Sequence, residues 1–233
     1  MIPNTPDKMN VQEEQEIKKE FLLERVVLFS DAVFAIIITI MVIEIKLPAG
    51  IREATDGVVH HAFKELMFKL GGYAFTFFLV ANFWIRHIRI CSYLKDYNKM
   101  FLVFNLLFLF TISLFPFAVS IFTEAPNLHS TITNYGVNIY IGVVLSAILT
   151  QALLTNYIVS NKAELCLNNG GLEQTLEWKV ARLSFITIPL VGIIILLFNF
   201  YHLDFIFSLY AISIIGITTA LGRRIYYPKT QQH

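Results

Sequence analysis

Charge is what this chain of 233 residues has least of: only 15% of it is Asp, Glu, Lys or Arg, against 56% hydrophobic residues. Soluble domains carry about a quarter charged residues and fewer apolar ones, so this composition excludes an ordinary soluble globule. The net charge of +1 and the lack of a basic run leave no arm for nucleic acid. Two cysteines, Cys91 and Cys166, stand in or beside apolar segments without motif spacing, which excludes a disulfide framework and reads as buried thiols. No glycine-rich phosphate loop, no metal-ligand cluster and no nucleophile–base signature is present, so enzyme chemistry has no seat and no metal or cofactor site is expected. The TVGYG selectivity filter is missing too. The N-terminus, with Glu13, Glu14 and Glu16, lacks the basic–apolar–small pattern of a cleaved signal, so the first apolar run is expected to remain as a membrane helix.

What the chain does have is apolar length. Mean hydropathy is +0.62 and phenylalanine occurs 21 times. A bilayer core of about 30 Å takes roughly 20 apolar helical residues, and six segments qualify. They run over 25–46, 66–90, 101–122, 136–159, 180–200 and 203–222, with the polar stretch 10–24 continuing the first helix. The expected fold is an all-α membrane protein, one domain over 1–233 with six transmembrane helices per subunit. Loops 47–65 and 160–179 are the longest, and Asn168-Asn-Gly-Gly171 marks a turn in the latter. Basic residues collect before span one (Lys8, Lys18, Lys19, Arg25) and between spans two and three (Arg86, Arg89, Lys95, Lys99). They recur between spans four and five (Lys162, Lys179, Arg182) and after span six (Arg223, Arg224, Lys229). The opposite side has only Lys46, Arg52, Lys64 and Lys69, so both termini are expected in the cytoplasm. Pro116 and Pro189 fall within spans and read as tolerated kinks, while Gly71-Gly72 reads as a point of close helix approach.

The first span opens Arg25-Val-Val-Leu-Phe29-Ser30-Asp31. A carboxylate inside a membrane helix costs several kcal/mol unless paired or wet, so Asp31 marks a functional site or its support. On a helical wheel Ile36, Thr39, Ile40 and Ile43 follow i, i+3, i+4, i+7 and share a stripe. Asp31 is offset from Ile36 by about 140°. That split suits a pore-lining face braced by an acid on another face, and it equally suits lipid contact or core packing. Trp84 and His87 in span two, at i and i+3, lie at a depth matching Asp31. With Ser30 they can satisfy the carboxylate, or they can be an interfacial Trp and a headgroup-level His. Glu44 and Lys46 sit at the outer end of span one. Asn105, Gln151 and Asn156 read as interhelical hydrogen-bonding glue.

Arg25-x-x-x-Phe29-Ser30-Asp31 at the head of the first of six helices, with Trp84-x-x-His87 in the second, resembles the transmembrane protein 175 family of potassium channels in its single-repeat prokaryotic form. The resemblance implies a potassium-permeable homotetramer in a prokaryotic cytoplasmic membrane, with helix 1 of each subunit lining a central pore. It places a hydrophobic constriction at Ile36, with Ile40 and Ile43 as further candidates, and a selectivity role at Thr39. Arg25, Phe29, Ser30, Asp31, Trp84 and His87 become a structural network. Beyond its own copies, the partners implied are the lipid bilayer and permeant K⁺, with no cofactor and no nucleic acid. Without a carbonyl cage, only modest preference for K⁺ over Na⁺ is expected. The competing reading is a proton-coupled transporter or proton pathway through Asp31 and His87, and a third is a non-transporting scaffold. The unbroken first helix favours a channel, since transporters often expose backbone at a broken one.

Overall fold

The computed structural model describes residues 11–43, 45–46, 56–123, 131–167 and 176–201, nearly all of them helical. The helices are α1 (Val11–Ile43), α2 (Asp56–Cys91), α3 (Lys99–Ser113), α4 (Phe115–Thr123), α5 (Thr131–Ser160), α6 (Lys162–Leu165) and α7 (Leu176–Phe200). Four stretches are long and apolar enough to cross a membrane: Glu13–Ile43, Asp56–Cys91, Lys99–Thr123 and Tyr135–Ser160. The chain is therefore a multi-pass membrane protein. The expected sixth span 203–222, the Asn168–Gly171 turn and Glu44 lie outside the described residues.

At 1.5 Å per residue the 33 residues of α1 reach about 50 Å, well beyond a bilayer core, so its polar first turns project past the apolar run. Glu13 and Glu14 in the first turn oppose the positive end of the helix dipole. α2 begins at Asp56, earlier than the apolar pattern indicates, and its outer turns carry Asp56, Lys64 and Glu65.

The third apolar segment is two helices. Pro116 has no N–H for the carbonyl four residues back, and the chain tightens at Leu114, whose amide bonds the Thr111 carbonyl at 3.3 Å. α4 then restarts with Pro116 in its first turn, where no donor is required. The interruption is one residue long and the span continues from Lys99 to Thr123, so the proline is tolerated within it, and α7 likewise runs through Pro189.

Helices in lipid gain little from burying apolar surface against one another, so close packing and polar bonds must hold the bundle. Phe34, Phe101, Phe108 and Phe115 are fully buried. Phe83 meets Phe108 and Phe115 at ring distances of 6.3 and 6.0 Å. Gly72 supplies the closest approach: a Cβ there would stand 2.7 Å from Thr123 Cγ2, so α2 and α4 meet only because that atom is missing. Gly71 faces open space and carries no such requirement. Two hydroxyl pairs, Thr76 with Tyr140 and Thr111 with Thr150, each at 3.0 Å, tie α5 to α2 and α3.

At one end of the bundle the link between α2 and α3 is joined to the segment around α6 by backbone. Leu94 and Cys166 form an antiparallel bridge, Lys95 N–H bonds the Leu165 carbonyl at 2.8 Å, and Leu167 N–H bonds that of Tyr93 at 3.1 Å. Asn98 Oδ1 caps α3 through the Phe101 amide and also accepts from Tyr157 Oη. Both cysteines are buried, free thiols.

Candidate functional site

α1 presents two different faces. Leu23, Ser30, Phe34, Ile37 and Met41 repeat with helical spacing and are buried against the rest of the chain. The opposite face carries Ile36 (56% exposed), Thr39, Ile40 (42%) and Ile43 (64%), covered by no other helix among the described residues. Thr39 Oγ donates to the carbonyls of Ala35 at 3.0 Å and Ile36 at 2.9 Å. Its hydrogen is thus committed to backbone, and its oxygen lone pairs remain open for an acceptor role on that face.

The polar residues of the first three helices form two sets. In the first, Trp84 Nε1 donates to Asp31 Oδ1 at 2.9 Å, joining α2 to α1. In the second, His87 Nε2 and Asn105 Oδ1 stand 2.8 Å apart, and Asn105 Nδ2 donates to Ser30 Oγ at 3.0 Å. Ser30 Oγ passes its own hydrogen to the Val26 carbonyl at 3.0 Å. The sequence of donors fixes the tautomer: Asn105 Oδ1 can only accept, so His87 carries its proton on Nε2. Ser30, His87 and Asn105 are all fully or almost fully buried, and no buried polar side-chain atom among the described residues lacks a partner. The His87 ring also stacks on Phe108 at 5.6 Å and meets Phe34 at 5.9 Å.

This arrangement differs from the expected network in three respects. His87 bonds Asn105 of α3, not Asp31, so the carboxylate and the imidazole are not a directly bonded relay. Asn105, expected only as glue, is the central member of the buried set. Arg25 and Phe29 are exposed and stand outside both sets, and Arg25 makes no ion pair among the described residues. Gln151 does act as glue, donating to the Phe83 carbonyl at 3.0 Å. Asn156 is exposed and forms no interhelical bond among the described residues. Lys46 is exposed at the end of the α1 segment. No group of three or more metal-ligating side chains occurs among the described residues.

The arrangement defines a helical membrane protein whose first helix is clamped by buried polar bonds on one face and left bare and apolar on the other. The profile of the family described as endosomal/lysosomal potassium channel TMEM175 matches residues 25–116. A protein of Chryseobacterium named as a potassium channel is 30% identical over 165 residues, 71% of this chain and 78% of the relative. A Streptomyces collinus protein named as a potassium channel is 30% identical over 82 residues, covering 35% and 38% of the two chains. The crystal structure of a lysosomal potassium-selective channel TMEM175 homologue from Chamaesiphon minutus is 22% identical, covering 81% of this chain and 97% of that one with a TM-score of 0.44. The chain belongs to the TMEM175 family of potassium channels, which is not an enzyme class.

Proposed function

We propose that four copies of this chain assemble around a central axis as a potassium-permeable cation channel, with the bare face of α1 turned inward. The observation that carries this reading is the exposure of Ile36, Thr39, Ile40 and Ile43 together, on the side of α1 opposite its buried stripe. Ile36 forms the main hydrophobic constriction, with Ile40 and Ile43 as further rings on the same stripe. Such a ring offers a passing ion no substitute for its hydration shell and closes by dewetting. Thr39, with its oxygen unencumbered, contributes a ring of weak ligands and a modest preference for K⁺ over Na⁺. The relatives named as potassium channels support the choice of ion.

The clamp made by Ser30, Asn105, His87, Asp31 and Trp84 holds α1 at a fixed rotation, so that its bare face keeps aiming at the axis. The chain is one six-helix membrane domain over 1–233, with spans as predicted from the sequence. Both termini are cytoplasmic, in a prokaryotic plasma membrane, as the distribution of basic residues indicates. Transport is passive and needs no cofactor.

The test is ion flux from liposomes containing the purified chain. Potassium movement under an imposed potential, with no proton gradient, is the expected result. Flux that strictly requires a proton gradient overturns the channel reading and puts Asp31 and His87 on a proton path.

A further inference from the structure

α1 and α3 diverge near the head of the apolar run and leave a cleft of about 310 Å³ between them. Leu22, Arg25 and Phe29 from α1, Tyr97 from the preceding link, and Leu102 and Leu106 from α3 line it. The volume is in the range of small-ligand clefts, about 300–1,000 Å³. Val26 and the edge of Asn105 complete the lining, in which Arg25 is the one charged group. Arg25 has no ion-pair partner among the described residues, and Lys18, two turns earlier at i−7, is likewise exposed and unpaired. Positions 18, 22, 25 and 29 follow 4-3-4 spacing, so two cations and two apolar side chains alternate along one stripe.

Arg25 stands where the polar extension of α1 becomes apolar, the level of lipid headgroups. A guanidinium there binds phosphate oxygens in a bidentate fork, and the apolar wall below it suits acyl chain. We propose that this cleft is a binding site for an anionic phospholipid, its phosphate held by Arg25 and its acyl chain lying against Leu102 and Leu106. Basic pockets between membrane helices at the cytoplasmic side are suited to such headgroups. Cleft geometry and charge point to this occupant; Arg25 and Phe29 continue the wheel stripe of Ile36 and Ile40, so the site rests on the first apolar turns of α1 lying outside the closed ring of the proposed pore.

The test uses the full chain purified in detergent from membranes containing phosphatidylglycerol and phosphatidylcholine, with retained lipid measured by mass spectrometry. Arg25→Gln removes the phosphate ligand, and Leu106→Trp fills the cleft while keeping the charge. Arg25→Gln is expected to lower the ratio of retained phosphatidylglycerol to phosphatidylcholine about fivefold, the loss of one basic contact at an anionic surface, and Leu106→Trp to lower it by denying the acyl chain its wall. Arg25→Lys keeps the charge but not the fork and is expected to fall between wild type and Arg25→Gln, which separates lipid binding from failure to fold. Lys64→Gln, a basic residue at the far end of α2, is expected to leave it unchanged. An equal loss in Lys64→Gln, or wild-type ratios in Arg25→Gln and Leu106→Trp, overturns the site. So does a change in oligomer mass without a change in lipid, since the cleft is then covered by a second copy of the chain.

Discussion

The side-chain amide of Asn105 serves two helices at once, its oxygen 2.8 Å from His87 Nε2 on α2 and its nitrogen 3.0 Å from Ser30 Oγ on α1. Three transmembrane segments therefore meet through a single residue, and each bond joins side chains that are fully or almost fully buried.

Asn105→Leu is expected to strand the imidazole and the serine hydroxyl at about 1–3 kcal/mol each, less whatever the loosened helices recover. Asn156→Leu, on an exposed face of α5, is expected to stay within about 0.5 kcal/mol of wild type. Unfolding of both variants in the same detergent checks the contrast. Equal stability of the two denies Asn105 its central place.

Gly72→Ala drives a methyl against Thr123 Cγ2 and is expected to destabilise by about 1–3 kcal/mol through overpacking. Thr123→Ser removes that methyl while keeping the hydroxyl that bonds the Val119 carbonyl. The double variant is expected to recover most of the loss in a thermal unfolding comparison. Failure of the rescue places the cost of Gly72→Ala elsewhere in the bundle.

Ile36→Asn keeps a similar bulk and adds groups that bond water. Leak conductance is expected to rise clearly, while Ile36→Met, still apolar, is expected to conduct like wild type. The comparison is a recording of both variants in one membrane. Equal conductance moves the barrier to Ile40 or Ile43.

Thr39→Val preserves shape and removes the oxygen. Preference for K⁺ over Na⁺ is expected to fall while assembly survives, as read from reversal potentials in mixed ions. Unchanged potentials leave Thr39 a packing residue.

How far the sequence carries this reading depends on the kind of signal. Apolar length marked plainly the four membrane segments seen among the described residues, since twenty apolar residues in a row have few other uses. The two faces of α1 were separable on a wheel, yet both are apolar, and so periodicity alone did not say which is bare. Ser30 and Asp31 were conspicuous because polar groups are rare there. Their partners were harder: a one-residue step is about 100° on a helix, so Ser30 and Asp31 reach different neighbours, and only the packing assigns Asn105 to one and Trp84 to the other. The break at Leu114 was signalled by Pro116, but whether proline bends or ends a helix depends on what surrounds it.

Asp96 lies outside the membrane segments and pairs with Lys19 Nζ at 3.0 Å. Partial burial pushes its carboxyl up, but bonds from Lys19 and the Tyr97 amide outweigh this and hold it below the usual carboxylate range. A lowered pKa in the folded chain stabilises above the ordinary carboxylate pKa of about 3.9 and is lost as pH falls through the folded value. Asp96→Asn is therefore expected to lower the melting temperature at neutral pH, with the gap from wild type closing on acidification below about pH 4. A gap independent of pH shows that the ion pair is not its source.

The Leu94–Cys166 bridge closes residues 94 to 166 into a loop fastened at its base by main chain. The helices inside that loop, α3 to α6, form a frame whose fastened end cannot open without breaking peptide hydrogen bonds. Among the described residues α1 is held to the frame by side chains, through Ser30 and the Lys19–Asp96 pair. Force applied along the chain is thus expected to break the side-chain bonds of α1 before the main-chain base of the loop yields.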